Sequence, residues 1–360
     1  MRSADAIGAR SAPAAALAVP AARWAGLAFA VLAASAMALK WGTVPVSWAD
    51  VASSLRDGLR GGELAGEPAI VWQLRLPRVL MGLLSGAALG MSGAALQGLF
   101  RNPLADPYLM GVASGALCGA AVAMTLGAAL PAAFTGLAGP VLSYVPAAAF
   151  LGAMLAVLAA LSLARTAGGR RTTDLVLSGV VVGSILTAAT VYLMLRDADR
   201  VRSIFNWSLG NLAMAGWPQF SAALPYAVAG MLLLIPCGRA LNALQLGEDV
   251  AATLGLPVEA LKLAVVAGAS LATAAVVSQV GIVGFVGLVV PHIVRRLVGG
   301  DYRRLLVGSA LAGGLLLVLA DLGARVAVRP AELPVGVVTT LVGGPFFLYL
   351  LKRGQHDAAA

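Results

Sequence analysis

Long apolar runs alternate along the chain with short stretches that hold nearly all of its charge. Crossing a hydrocarbon core of ~30 Å takes about 20 residues of helix, and most of the runs approach that length. The stretch 107–164 has 58 residues without a charge, too many for one crossing, and Pro131 and Pro140 with nearby glycines divide it. The pattern predicts ten helices, at about 24–39, 79–100, 108–130, 141–164, 175–195, 220–236, 262–280, 282–298, 305–322 and 335–351. The expected fold class is an all-α integral membrane protein. Basic residues precede the first run and Ala34-Ser35-Ala36 ends it, so a signal peptide is the alternative to a first span there. Residues 1–23 and 354–360 read as tails, with the membrane domain over 24–353. Residues 42–73 read as an external loop with an amphipathic stretch at 48–59. Residues 196–219, with Trp207 and Trp217, suit a short helix at a headgroup interface.

The stretch 74–115 is the most distinctive. Small residues recur every fourth position at Gly82, Gly86, Gly90, Ala94 and Gly98. They make a smooth stripe on one helix face, where a neighbouring backbone can approach closely. The helix is expected to stop at Arg101-Asn102-Pro103, with a second break at Asp106-Pro107, because proline lacks an amide hydrogen and disfavours helix in the residue before it. Asn102 and Asp106 read as caps, with a role in shaping a pathway as the alternative. Pro291 breaks a later run, and beside it His292 reads as a structural histidine. A weaker echo of the pattern over 265–303 suggests two repeat halves, about 74–195 and 261–351, inverted relative to each other.

Only 11% of the 360 residues are charged and 60% are hydrophobic, which puts the chain in a lipid membrane before any motif is considered. The formal charge of +9 comes from 25 Lys and Arg against 16 Asp and Glu. These cations lie between apolar runs and do not form a basic stripe interleaved with aromatics, so nucleic acid is not an expected partner. If the N-terminus is inside, 15 of the 25 cations fall on the inner side, with both termini there. Cys118 and Cys237 sit in apolar runs and read as packing residues.

None of the three lysines follows a glycine, so no Walker-type phosphate loop is present. Nor is there a paired-carboxylate, Ser-His-Asp or His/Cys constellation. The expectation is a protein that is not an enzyme, with no cofactor and no metal. Asp321 is the main candidate for a charge within the membrane. Ion-coupled carriers usually need more such groups, which favours a pathway worked by an outside engine and leaves an ion-coupled secondary transporter or channel as the alternative. The loop 238–261 could couple that engine. Glu248 and Asp249 suit a helix N-terminus, Val250, Ala251 and Leu254 share a face, and Gly255 can end the helix. On spacing alone it could equally be a surface helix without a partner. Arg75, Arg78 and Arg325 stand at span ends, where arginines often reach out to headgroups.

The segments LRLPR at 74–78, SGAALQGLFRNPLADP at 92–107 and LMGVASGA at 109–116 closely resemble the signature of the FecCD permeases, which belong to binding-protein-dependent ABC importers. The likeness runs from about residue 74 to 353 in motif order. It implies a type II ABC importer permease fold and a homodimer with the pathway at the subunit interface. It also implies two cytoplasmic ATP-binding cassette subunits, a periplasmic substrate-binding protein and a bacterial inner-membrane location. The implied cargo is an iron(III)-siderophore, haem or cobalamin. Carried over residue by residue, Gly247, Glu248, Ala251, Leu254 and Gly255 would belong to the ATPase-coupling helix. Arg75, Arg78 and, through Asp321-Leu-Gly-Ala-Arg325, Arg325 would receive acidic residues from the binding protein.

Overall fold

The computed structural model describes residues 19–62, 64–126, 144–166, 172–328 and 331–359, and every regular element among them is helical. Pro131, Pro140, Arg170 and Arg171 lie outside the described residues. The helices are α1 (Ala21–Lys40), α2 (Trp48–Leu59), α3 (Gly66–Phe100), α4 (Val112–Leu126), α5 (Tyr144–Thr166), α6 (Thr172–Arg196) and α7 (Ala198–Ser208). After these come α8 (Trp217–Leu244), α9 (Glu248–Thr253), α10 (Val258–Val280), α11 (Val286–Val298), α12 (Tyr302–Val326) and α13 (Val335–Ala359). Seven of them are long and apolar enough to cross a membrane: α1, α3, α5, α6, α8, α10 and α12. With the shorter α4 and α11 and with α13, whose apolar part is Val335–Tyr349, they fall on the ten expected runs.

Several boundaries differ from the expectation. Helix α3 begins at Gly66, inside the expected loop, and passes through a π-turn at Val71–Arg75. Pro77 cannot donate to the Gln73 carbonyl, and the Leu76 amide bonds five residues back to Val71, so the wide turn absorbs the missing donor. Helix α8 continues beyond Pro236 through a tight turn at Ile235–Cys237 to Leu244, which shortens the polar loop. Ile282 is not helical, and α11 begins only at Val286. Residues 354–359, expected as a tail, extend α13.

Helix α3 is the axis of the bundle. Its small-residue stripe lies against α12, which runs antiparallel to it. A Cβ on Gly86 would fall 2.1 Å from the Gly313 carbonyl oxygen, and one on Gly90 would fall 2.3 Å from that of Ser309. Backbone therefore packs on backbone, the contact that membrane helices use where lipid supplies no hydrophobic drive. Gly115 with Gly152 joins α4 to α5 in the same way, and Gly230 with Gly268 joins α8 to α10.

Helix α1 starts beside the end of α11, where the Arg23 guanidinium donates to the Leu297 carbonyl at 2.6 Å. Helix α13 runs toward that same side, called here the terminal face. It also carries the end of α3 and the loop around α9. The opposite, far face carries Arg75, Arg78 and Arg325, together with α2 and α7.

Candidate functional site

The far-face arginines are the first correction. Expected to reach outward, they are 6%, 8% and 3% exposed. Arg78 grips both Asp321 oxygens, with Nη2 at 2.8 Å and Nε at 3.0 and 3.1 Å, while its Nη1 reaches Glu332 at 2.8 Å. Arg325 Nε pairs with Asp321 at 3.1 Å from one turn further along α12. The other guanidinium nitrogens turn to the end of α1. Arg325 Nη1 donates to Ala38 and Trp41, and Arg75 Nη1 donates to Leu39 at 2.8 Å and Lys40 at 2.5 Å. Arg75 Nη2 donates to the Val44 carbonyl. A helix leaves its last carbonyls without internal partners, and cations are stabilised at that negative end. Burial follows from this: Arg75 and Arg325 cap α1, while Asp321 and Glu332 pair with Arg78 and Arg325. Arg78 and Arg325 share Asp321, Arg78 also holds Glu332, Arg75 is bonded to carbonyls alone, and Arg325 Nη2 is buried with no acceptor.

The second group lies around the end of α3. Arg101 takes a left-handed backbone conformation, φ 48°, and stops the helix. Asn102 Oδ1 then accepts from the Leu104 amide at 2.9 Å, and Asp106 Oδ1 accepts from the Tyr108 amide at 2.8 Å, so both are caps as expected. Pro103 is exposed and Pro107 is buried. Burial pushes the Asp106 carboxyl up to about 6. Pro291, expected to break its run, instead stands inside the continuous α11, and the break after α3 lies near it, since Pro107 packs on Gly287, four residues earlier on that helix. Pro291 offers no amide to the Gly287 carbonyl, and Gln97 Nε2 donates to that oxygen and to Leu288, both at 3.3 Å. The Tyr108 hydroxyl donates to the Val283 carbonyl at 2.9 Å and accepts from the Val283 amide at 3.1 Å. The non-helical strip before α11 is thereby satisfied from across the bundle. Neither Gln97 nor Tyr108 was among the expected site residues. A glutamine in an uncharged helix was the available signal for the first.

The third group is the terminal-face loop. Gly247 (φ 117°) and Gly255 (φ 81°) bracket α9 in backbone conformations that L side chains rarely adopt. Glu248 is tied to Lys262 at 2.8 Å, and Glu259 holds the same lysine at 3.0 Å. Here the structure corrects which face is free. Ala251, expected in a partner contact, is fully buried in this chain's own core, whereas Leu254 is 67% exposed. Leu246 and Val250, at 65% and 46% exposure, join Leu254 on the open side. Their spacing of four residues was the signal for this row. The loop is fastened to two helices. Gln245 Nε2 donates to the Gly98 carbonyl at the end of α3, 2.9 Å away. Asn242 bridges Asp301, at 2.7 Å, and the Tyr302 amide, at 2.9 Å, at the start of α12. Arg303 and Asn242 hold the Asp301 carboxyl well below its usual range.

On the flank, Ser114, Ser184 and Thr187 line an open cleft of about 620 Å³ that also touches Asp106 and Tyr108. Among the described residues, no group of three or more His, Cys, Asp or Glu could hold a metal ion.

A family model described as the FecCD transport family matches residues 29–353. The cobalamin import system permease protein BtuC of Halobacterium salinarum is 40% identical over 289 residues, 80% of this chain and 75% of that protein. The hemin transport system permease protein HmuU of Yersinia pestis is 39% identical over 293 residues, covering 80% and 84%. The Fe(3+) dicitrate transport system permease protein FecD of Escherichia coli is 36% identical over 327 residues, covering 91% and 97%. A solved structure, described as a metal-chelate type ABC transporter in an inward-facing conformation, superposes with TM-score 0.78 at 27% identity, covering 93% of this chain and 99% of that one.

Proposed function

The chain belongs to the FecCD transport family as a multi-pass membrane permease of an ABC importer, and on that premise we propose that it works as a homodimer carrying an iron(III)-siderophore, haem or cobalamin across the bacterial inner membrane. The family implies an ATPase and a substrate-binding protein as partners. The terminal face is cytoplasmic and the far face periplasmic in this reading, supported by the excess of cations on the inner side. The opposed directions of α3 and α10, each followed by a non-helical break, support inverted halves.

The observation that carries the ATPase coupling is the exposed row Leu246, Val250 and Leu254, an apolar patch on the most polar loop of the second half. One ATPase subunit of a pair docks there on each permease. When nucleotide closes the pair, the loop moves, and its bonds to Gly98 and to the start of α12 pass the displacement to the central helices. Energy enters as differential affinity of nucleotide and binding protein for two permease conformations. At the far face, the spare donor of Arg325 suits an acidic group on the binding protein, once the cluster opens. The hydroxyl-lined cleft along α6 supplies a polar surface for a path between two copies.

The test is uptake in proteoliposomes holding the permease, its ATPase and its binding protein, with the three cargo classes offered in turn. ATP-dependent uptake of one class is expected. Uptake that proceeds without the ATPase would overturn this reading in favour of an ion-coupled secondary transporter.

A further inference from the structure

Beside the coupling loop, the terminal face holds a cleft of about 280 Å³ rimmed by Arg101 and Arg295, with Gln97, Gln245 and Tyr302 in its wall. No carboxylate lines it. Of the acids near these segments, Asp301 is engaged with Arg303 at 2.7 Å, Glu248 with Lys262 at 2.8 Å, and Asp106 accepts from the Tyr108 amide at 2.8 Å. Two arginines thus line one cleft to which the described residues of their own chain contribute no counter-charge.

Each arginine is positioned by a local feature. The left-handed backbone of Arg101 ends α3, and its Nη1 reaches to 3.9 Å from where a Cβ on Gly247 would stand. Arg101 is therefore adjacent to the loop that carries the exposed apolar row. Arg295 lies over the Tyr302 ring, 6.0 Å from its centroid, with Nη2 3.5 Å from the hydroxyl. Tyr302 itself is buried against Gly98. The cleft is built from helix ends, at 97–103, 245 and 295–302, and not from helix flanks. Guanidinium forks bind carboxylates in a bidentate way, which fixes orientation as well as adding affinity.

We propose that this cleft receives an acidic side chain of the ATPase subunit, as an electrostatic key next to the apolar contact of Leu246, Val250 and Leu254. The inference rests on the reading of that loop as the ATPase dock. The apolar row supplies desolvated contact, and the cleft sets the register of the two subunits and makes assembly sensitive to salt.

The test measures affinity between the full-length permease in nanodiscs and its cognate ATPase subunit over a range of salt concentrations. Three permease variants are compared with wild type: the pair Arg101→Gln with Arg295→Gln, the pair Arg101→Lys with Arg295→Lys, and Leu254→Arg. The glutamine pair should bind about tenfold to a hundredfold more weakly and lose most of the salt dependence, while the lysine pair retains it. Wild-type affinity and salt slope in the glutamine pair, with binding lost in Leu254→Arg, would overturn the key and leave the dock standing. Normal binding by Leu254→Arg would overturn the dock itself. Native mass spectrometry separates the other occupant: loss of bound anionic phospholipid in the glutamine pair, with ATPase affinity unchanged, would make the cleft a lipid site and reject the proposal.

Discussion

The Gln97 side-chain amide donates to the backbone carbonyl of Gly287, the acceptor that Pro291 leaves without its helical donor. An unsatisfied buried carbonyl costs about 1–3 kcal/mol, so Gln97→Leu should destabilise the protein by that amount. Pro291→Ala restores the amide and makes the glutamine dispensable. The double variant should therefore lose less than the two single losses combined. Unfolding curves in detergent for the four proteins measure that coupling, and strict additivity would reject it.

Gly86 and Gly323 make a matched pair for the α3–α12 seam. A Cβ at Gly86 meets the Gly313 carbonyl at 2.1 Å, whereas one at Gly323 meets nothing within 4 Å. Gly86→Ala should force the helices apart and lower thermal stability by several degrees. Gly323→Ala should be neutral or gain up to about 1 kcal/mol, because alanine is the better helix former. Equal effects at the two sites would rule out the backbone seam as the cause.

Breaking the far-face cluster should be costly at one position and cheap at another. Arg78→Met removes two of the ties on carboxylates, one of them to a buried Asp321, and such losses run to about 3–5 kcal/mol. Glu332 is a quarter exposed, so Glu332→Gln should cost about 1 kcal/mol or less. Chemical denaturation of each variant reports the ordering, and a larger loss for the glutamate would contradict it.

Substitutions on α9 should separate assembly from folding. Leu254→Arg should give a folded, monodisperse permease that no longer co-purifies with its ATPase. Ala251→Leu inserts a side chain where there is no space and should lower expression and thermal stability instead. Co-purification and melting temperature, measured together, distinguish the two faces. The same defect in both variants would undo the assignment of the open side.

Asp106 gives the protein a defined pH dependence. Burial raises its carboxyl from 3.8 to about 6. Below about pH 4 both folded and unfolded chains hold the proton and nothing is lost. From about pH 4 to 6 the unfolded chain releases it first, so stability falls as pH rises. Above about pH 6 the loss is constant. Asp106→Asn keeps an acceptor for the Tyr108 amide without the ionisation. It should match wild type near pH 4 and exceed it near pH 8, as read from paired thermal melts. A constant offset across that range would reject the assignment.

What the sequence made legible follows from how lipid constrains a chain. Each residue in an apolar run reports its surroundings, so the ten helices and the small-residue stripe of α3 could be read directly. The cap roles of Asn102 and Asp106 were readable because they act on amides two residues away. Partners distant in sequence were not. Arg78 and Asp321 are separated by 243 positions, and nothing local says that the arginine turns inward. The early start of α3 was masked by Gln73, which is exposed, and by Arg75, whose polarity is answered by the distant end of α1. Ala251 was misjudged for another reason. A six-residue helix has too few turns to declare a face, and the conformations of its flanking glycines decide which side is covered.

One phenol oxygen, that of Tyr108, holds both polar groups of Val283. Two bonds meeting at one atom make a ball joint. The strip before α11 can swivel about that oxygen with both bonds kept, but sliding along it would strand a donor and an acceptor together. Tilting is therefore the inexpensive displacement at this junction between the first and second halves of the chain, and shear is the expensive one.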